Sequence, residues 1–551
     1  MSGSITLENR FGVNKMELIS LKYAIFVIVL LVLYYCFPKK YRWYVLLAGS
    51  MAYYVIICKW YVLFIIFTIC TTYGSTIWID KLLKKQNAIV KSHKEDWDRQ
   101  TRKDYKEKGR KKRVAVMLFA LLCNFGILAF LKYIPYAGEL GLLLPLGISF
   151  YTFQSMGYVM DVYREIVEPE KNFLKVALFV SFFPQIIQGP IAIYDKLAGQ
   201  LYEGHSLRLE NLQKGALLVL WGVMKKLVIA DRAVNIINFV MDKPMDFSGT
   251  YVFFAAVVYA LQLYADFSGG IDIVRGIAEM FGITMSTNFN HPYFSRSLTE
   301  YWHRWHMTLG DWCRNYIFYP LSISKRFLNF GKWLKPRFGA HISKVLPGCI
   351  ASVITFIVIG VWHGANMKYL YFGLWNGIVI MLAELFAPVS KKVAGGFFKL
   401  TGLREKGIFA TIVSVIWTFM LILVGYYFDI AANASTAFHM LFKSVTDFHI
   451  SELGINNIIL NLGACGLDEY DILLLIICTL LWFFISFVEE NKKLDMRDFI
   501  LSRKLPLRWA IIYLGIFIVI IFGYYGPGVN PADFVSVSYT HLRAHETAAN
   551  L

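Results

Sequence analysis

The chain has 551 residues, of which 57% are hydrophobic and 17% charged, and it carries a formal net charge of +18. A soluble globular domain holds roughly 25% charged residues, so the composition excludes an ordinary soluble enzyme and predicts one large membrane-embedded bundle over residues 1–534. The positive charge does not signal nucleic acid, because Lys and Arg collect in gaps between apolar runs and not in a stripe with stacking aromatics.

Apolar runs able to cross a hydrocarbon core about 30 Å thick lie near 19–37, 43–58, 60–79, 114–131, 140–160 and 173–193. Others follow near 215–240, 250–267, 345–365, 368–388, 408–428, 471–488 and 509–525. The fold class is therefore all-α and polytopic, with about eleven to thirteen transmembrane helices and additional interfacial or re-entrant helices. Pro145 and Gly147 make the 140–160 run the candidate for a broken or re-entrant helix. The first run is followed by Pro38, Lys39 and Lys40 and shows no small-residue cleavage site, so it is expected to remain as a spanning helix.

Two polar stretches interrupt the pattern. Residues 81–113 hold fourteen Lys or Arg against five Asp or Glu, which predicts a basic cytoplasmic loop. Residues 284–344 mix Trp302, Trp305 and Trp312 with charges, which predicts an interfacial segment. The polar string 535–551 is unrelated to what precedes it and reads as a non-native tail, so His541 and His545 are set aside. The eight cysteines are scattered without zinc-ligand or disulfide-framework spacing.

Ionisable groups in apolar surroundings need a partner or a purpose. His363 ends an apolar run in Ile359-Gly360-Val361-Trp362-His363-Gly364-Ala365-Asn366, where the glycines are expected to leave room for a ligand beside the ring. It is either a satisfied core histidine or a catalytic one. His303 and His306 are three apart and are expected to share a helical face with Glu300, a spacing open to a metal pair or to an interfacial role. No HExxH accompanies them, so no metal is assigned. Asp266 and Asp272, in Tyr264-Ala265-Asp266-Phe267-Ser268-Gly269-Gly270-Ile271-Asp272, read as caps or as site-shaping carboxylates, with Ser268 or local amides as partners. Walker, dinucleotide and nucleophile-elbow motifs are absent from the sequence.

The string Ser295-Arg296-Ser297-Leu298-Thr299-Glu300-Tyr301-Trp302-His303-Arg304-Trp305-His306-Met307-Thr308-Leu309 resembles the signature of membrane-bound O-acyltransferases of the bacterial alginate O-acetylation type. Leu144-Pro145-Leu146-Gly147-Ile148-Ser149-Phe150-Tyr151, Phe183-Pro184-Gln185, Gly189-Pro190-Ile191, Lys225-Lys226 and Trp362-His363-Gly364 extend the resemblance over roughly residues 20–530. His303 and Asn315 depart from the family pattern, where Arg and Asp are common.

The resemblance implies that His306 and His363 are the catalytic pair, with Trp305, Trp362, His303, Asp266 and Asn366 around the substrate chamber. It implies His363 as general base, or as nucleophile through an acyl-histidine, and His306 as the group that orients the donor or stabilises an oxyanion. It also implies an acyl thioester such as acetyl-CoA as donor substrate with no bound cofactor, a multi-pass location in the bacterial cytoplasmic membrane, and a polysaccharide acceptor (peptidoglycan, an alginate-like polymer or another exopolysaccharide), with an extracytoplasmic acetyltransferase as partner. Two competing readings stand: D-alanyl transfer toward teichoic acid, and a lipid or sugar transporter without covalent chemistry. The transporter requires paired inverted repeats, which the sequence does not display.

Overall fold

The computed structural model describes residues 18–134, 140, 142, 144–401, 404, 407–454, 457 and 465–525. The tail at 535–551 lies outside them. Among the described residues every regular element is helical. Contacts group the chain into two compact units: one from residues up to Val219 with Ile271–Ser286, the other from Leu220–Gly270 and from Thr287 onward.

Among the described residues seven helices are long and apolar enough to cross a membrane, or eight if the bent pair Met367–Leu385 and Ala387–Thr401 is one span. Several of the expected runs are not separate long helices, for identifiable reasons. The runs at 43–58 and 60–79 fall in one helical stretch, Lys39–Ser92, interrupted where Lys59 adopts φ +49. The 140–160 run yields Ile148–Tyr163, whose 16 residues rise about 24 Å, and the 173–193 run splits into Phe173–Ser181 and Phe183–Gln188.

In the first unit, Ile148–Tyr163 packs against Val62–Ser92 and Arg99–Tyr133 and is buried on nearly every face. Its Ser149, Thr152, Gln154, Ser155 and Asp161 are buried there along with its apolar side chains. Gly147 starts it at φ +69, with the Ile186 carbonyl so close that a Cβ has no room. The basic stretch 81–113 is not a loop. It continues Val62–Ser92, turns at residues 93–98, and re-enters Arg99–Tyr133 beneath an N-cap by Asp98. Lys, Arg, Gln and Ala are good helix formers, and no proline interrupts them.

The second unit is organised by a helical hairpin. Lys325–His363, bent where Gly339 takes φ +79, packs antiparallel to Met367–Leu385. Gly360 faces the Tyr369 carbonyl and Gly373 faces the Phe356 carbonyl, each too close to admit a Cβ. Gly360 thus makes room for the neighbouring helix and not for a ligand, contrary to the sequence expectation. Ile408–Ile430 covers the other side of Met367–Leu385, with Trp375 Nε1 donating to the Leu421 carbonyl over 2.8 Å.

Candidate active site

His306 does not sit in mid-helix. Leu298–Arg304 ends at an extended Trp305, His306 adopts φ +44 and ψ +50, and a second short helix, Met307–Cys313, begins after it. The break separates the two motif histidines. His303 is exposed on the first helix, whereas His306 is 4% exposed, so they share no face and form no metal pair. The left-handed backbone, uncommon for a non-glycine residue, is held from outside: the segment before it pairs through Asn290 N–H to the Arg304 carbonyl and Met307 N–H to the Asn288 carbonyl, both at 2.9 Å.

His363 terminates Lys325–His363, and Gly364 follows in an extended conformation. Its ring meets Tyr369 at 5.9 Å, Phe372 at 5.4 Å and Trp362 at 5.1 Å between centroids. Trp362 also lies 6.3 Å from the His306 ring. Both histidines line one cavity of about 60 Å³, walled by Tyr259, Phe267, Tyr301, Trp302, Trp305, Phe372 and Tyr426. A site for one water needs roughly 10–15 Å³, so the space admits a group of a few heavy atoms.

The ring nitrogens of His306 are not equivalent. Nδ1 lies 3.2 Å from Asn288 Oδ1, while buried Nε2 has no hydrogen-bond partner among the described residues. Burial, with His363 as a second and smaller cause, pushes this imidazole down from 6.5 to about 3. It is neutral throughout the working pH range.

The cavity also contains polar and aromatic groups other than the two histidines. Asp429 Oδ2 accepts from Tyr259 O–H at 2.7 Å, and Tyr426 O–H stands 2.7 Å from Tyr301 O–H and 3.1 Å from Tyr293 O–H. Trp302 Nε1 donates to Asn376 Oδ1 at 3.0 Å, while Asn376 Nδ2 donates to the Phe372 carbonyl at 2.9 Å. Tyr301 and Trp302 belong to the motif string, whereas Tyr259, Asn376, Tyr426 and Asp429 had as advance signal only a polar or aromatic tip in or at the end of an apolar run, which many packing residues share.

Of the residues grouped around the chamber from sequence, Trp305 lines the cavity and Trp362 stands between the histidines. His303 and Asn366 are exposed, and Asn366 caps Met367–Leu385 by accepting from Lys368 N–H. Asp266 is fully buried and accepts from Lys226 Nζ at 2.6 Å, with Asp231 at 2.8 Å from the same ammonium. The Ser268 hydroxyl accepts from Lys225 Nζ at 2.9 Å. The ion cluster supports the bundle and is not part of the cavity wall.

Residues 169–335 match the model of the membrane-bound O-acyltransferase family. The chain is 30% identical over 315 residues to a probable alginate O-acetylase AlgI of Pseudomonas syringae pv. tomato, covering 56% of this chain and 54% of that one. It is 30% identical over 314 residues to a peptidoglycan O-acetyltransferase of Helicobacter pylori, covering 50% and 56%. A teichoic acid D-alanyltransferase of Bacillus subtilis is 26% identical over 288 residues, covering 51% and 67%. The matched region spans about half the length of the two acetyl-transferring relatives.

Proposed function

We propose that this chain, which carries the membrane-bound O-acyltransferase segment at residues 169–335, is a multi-pass membrane enzyme that moves an acetyl group from a thioester to a hydroxyl of a cell-envelope or secreted polysaccharide. The observation that carries the proposal is a small cavity lined by both His306 and His363.

In this reading the hydroxyl oxygen attacks the thioester carbonyl carbon as His363 takes its proton, and collapse of the tetrahedral intermediate expels the thiolate. A neutral imidazole is a suitable acceptor for that proton. His363 is the better base of the pair, because its ring is only half-buried while His306 is too desolvated to hold a proton. Trp305 and Trp362 keep bulk water from the thioester. The donor is proposed to be an acyl thioester such as acetyl-CoA, and an extracytoplasmic acetyltransferase is the proposed partner on the polysaccharide side.

The similarity to the Bacillus subtilis protein favours one alternative, transfer of D-alanine. Both are read by releasing polysaccharide-bound ester with mild base and identifying it by mass, in cells with the native chain or His363→Ala at matched membrane abundance. Loss of acetate supports acetyl transfer, and loss of D-alanine supports the alternative. Unchanged esters in every envelope polymer overturn both.

A further inference from the structure

Asn288 belongs to no helix, yet it is fully buried and serves two neighbouring turns at once. Its backbone carbonyl accepts from Met307 N–H at 2.9 Å. Its side-chain Oδ1 accepts from Thr308 N–H at 3.1 Å and from the Thr308 hydroxyl at 2.9 Å, and lies 3.2 Å from His306 Nδ1. Met307–Cys313 has no cap from its own N-terminal residue, so Asn288 supplies that cap from 20 residues away.

The cap fixes the amide's orientation. A backbone N–H can only donate, so the atom facing Thr308 N–H is an oxygen; turning the amide over would set Nδ2 against that hydrogen. With Oδ1 so placed, the hydrogen between it and His306 belongs to Nδ1. A neutral imidazole carries one hydrogen, so Nε2 holds a lone pair. Nε2 is the buried atom left without a partner among the described residues, on a ring that lines the cavity.

We infer that Asn288 is a positioning residue for the acyl-transfer site: it locks His306 in the Nδ1–H tautomer, so that Nε2 accepts a hydrogen bond from a substrate N–H or O–H other than the reacting hydroxyl. This rests on the acyl-transfer reading and changes one part of the family expectation. In this tautomer His306 has no hydrogen to offer an oxyanion. Its part is to orient a substrate through that donor, an amide of the thioester arm or a second sugar hydroxyl, while His363 handles the proton.

The test is ring nitrogen-15 NMR of the full-length protein labelled at histidine, with the His306 signals identified by their loss in His306→Gln. The expected native spectrum has protonated Nδ1 and unprotonated Nε2, unchanged between pH 5 and 8. In Asn288→Leu the tautomers mix, whereas Asn288→Asp, which keeps an oxygen acceptor, retains the native tautomer and restores ester transfer toward native levels. Asn288→Leu is expected to lose transfer on the order of 10²-fold at matched abundance. Native Nε2–H, or equal transfer in the Leu and Asp variants when both insert normally, overturns the assignment. Absence of ester in cells with the native chain overturns the acyl-transfer reading itself and leaves the spectrum to judge the tautomer.

Discussion

His306 and Trp362 face each other with ring centroids 6.3 Å apart, although 56 residues separate them in the chain. Trp362 also contacts the His363 ring at 5.1 Å. The indole therefore packs against both imidazoles. Trp362→Leu is expected to raise thioester hydrolysis relative to ester transfer by loosening the packing behind both imidazoles, measured as thiol released per ester formed in membrane vesicles. An unchanged ratio would mean that Trp362 only packs.

The size of the cavity predicts acyl-chain selectivity. Ile422 lines it, and Ile422→Ala removes about three carbon atoms' worth of wall. The variant is expected to raise the propionyl-to-acetyl ratio of esters when both thioesters are supplied, read by mass spectrometry of the base-released acids. The same substitution costs about 2–5 kcal/mol of stability, so the ratio is the informative quantity and not total yield.

Burial of His306 makes stability depend on acidity in a defined window. Its folded value is pushed down to about 3 from 6.5, so below pH 6.5 the unfolded chain binds a proton that the folded chain refuses. Stability is complete above pH 6.5 and is lost as pH falls toward 3, by up to about 1.4 kcal/mol per pH unit. The thermal midpoint in detergent is expected to fall between pH 6.5 and 5 more steeply for the native protein than for His306→Gln. Equal slopes would contradict the neutral, desolvated ring.

The ion cluster around Lys226 predicts a purely structural phenotype. Lys226 is 3% exposed and meets both Asp266 and Asp231. Lys226→Met removes a buried ammonium that two buried carboxylates share, and breaking a buried ion pair by deleting one partner typically costs about 3–5 kcal/mol. Membrane abundance and thermal midpoint are expected to drop, while ester formed per folded molecule is preserved. A loss of specific activity would give the cluster a direct part in the reaction.

His303 supplies the converse case. It is exposed and outside the cavity, and surface changes usually stay within ±0.5 kcal/mol. Ester transfer by His303→Ala is expected to remain within about twofold of native. A large loss would restore the chamber role implied by its place in the motif.

The contrast between His303 and His306 shows where sequence reasoning stops. Three-residue spacing places two side chains on one face only while the helix continues, and here it ends at Arg304 with His306 in a left-handed conformation. What holds that conformation, Asn288, is a single polar residue in an irregular stretch with no periodicity to mark it. His306 and His363 were legible because short motifs surround them, and Lys226 and Asp266 were legible separately. Their pairing was not, because it joins residues 40 apart in different helices. Asp429 and Tyr426 reach the cavity from another helix again, and long-range packing alone brings them there. The all-α character followed from apolar run length. The number of spans did not, because run length alone does not tell a helix buried inside the protein, such as Ile148–Tyr163, from one that crosses the membrane facing lipid.

The central claim is that His363 moves the proton in acyl transfer inside the cavity it shares with His306. Its most direct test supplies radiolabelled acetyl thioester to inverted membrane vesicles carrying the native chain or His363→Ala at equal abundance and measures base-labile label in the polysaccharide fraction. Incorporation by the native chain and a loss on the order of 10²-fold or more in the variant is the predicted result. Equal incorporation by a fully inserted His363→Ala protein would contradict the account.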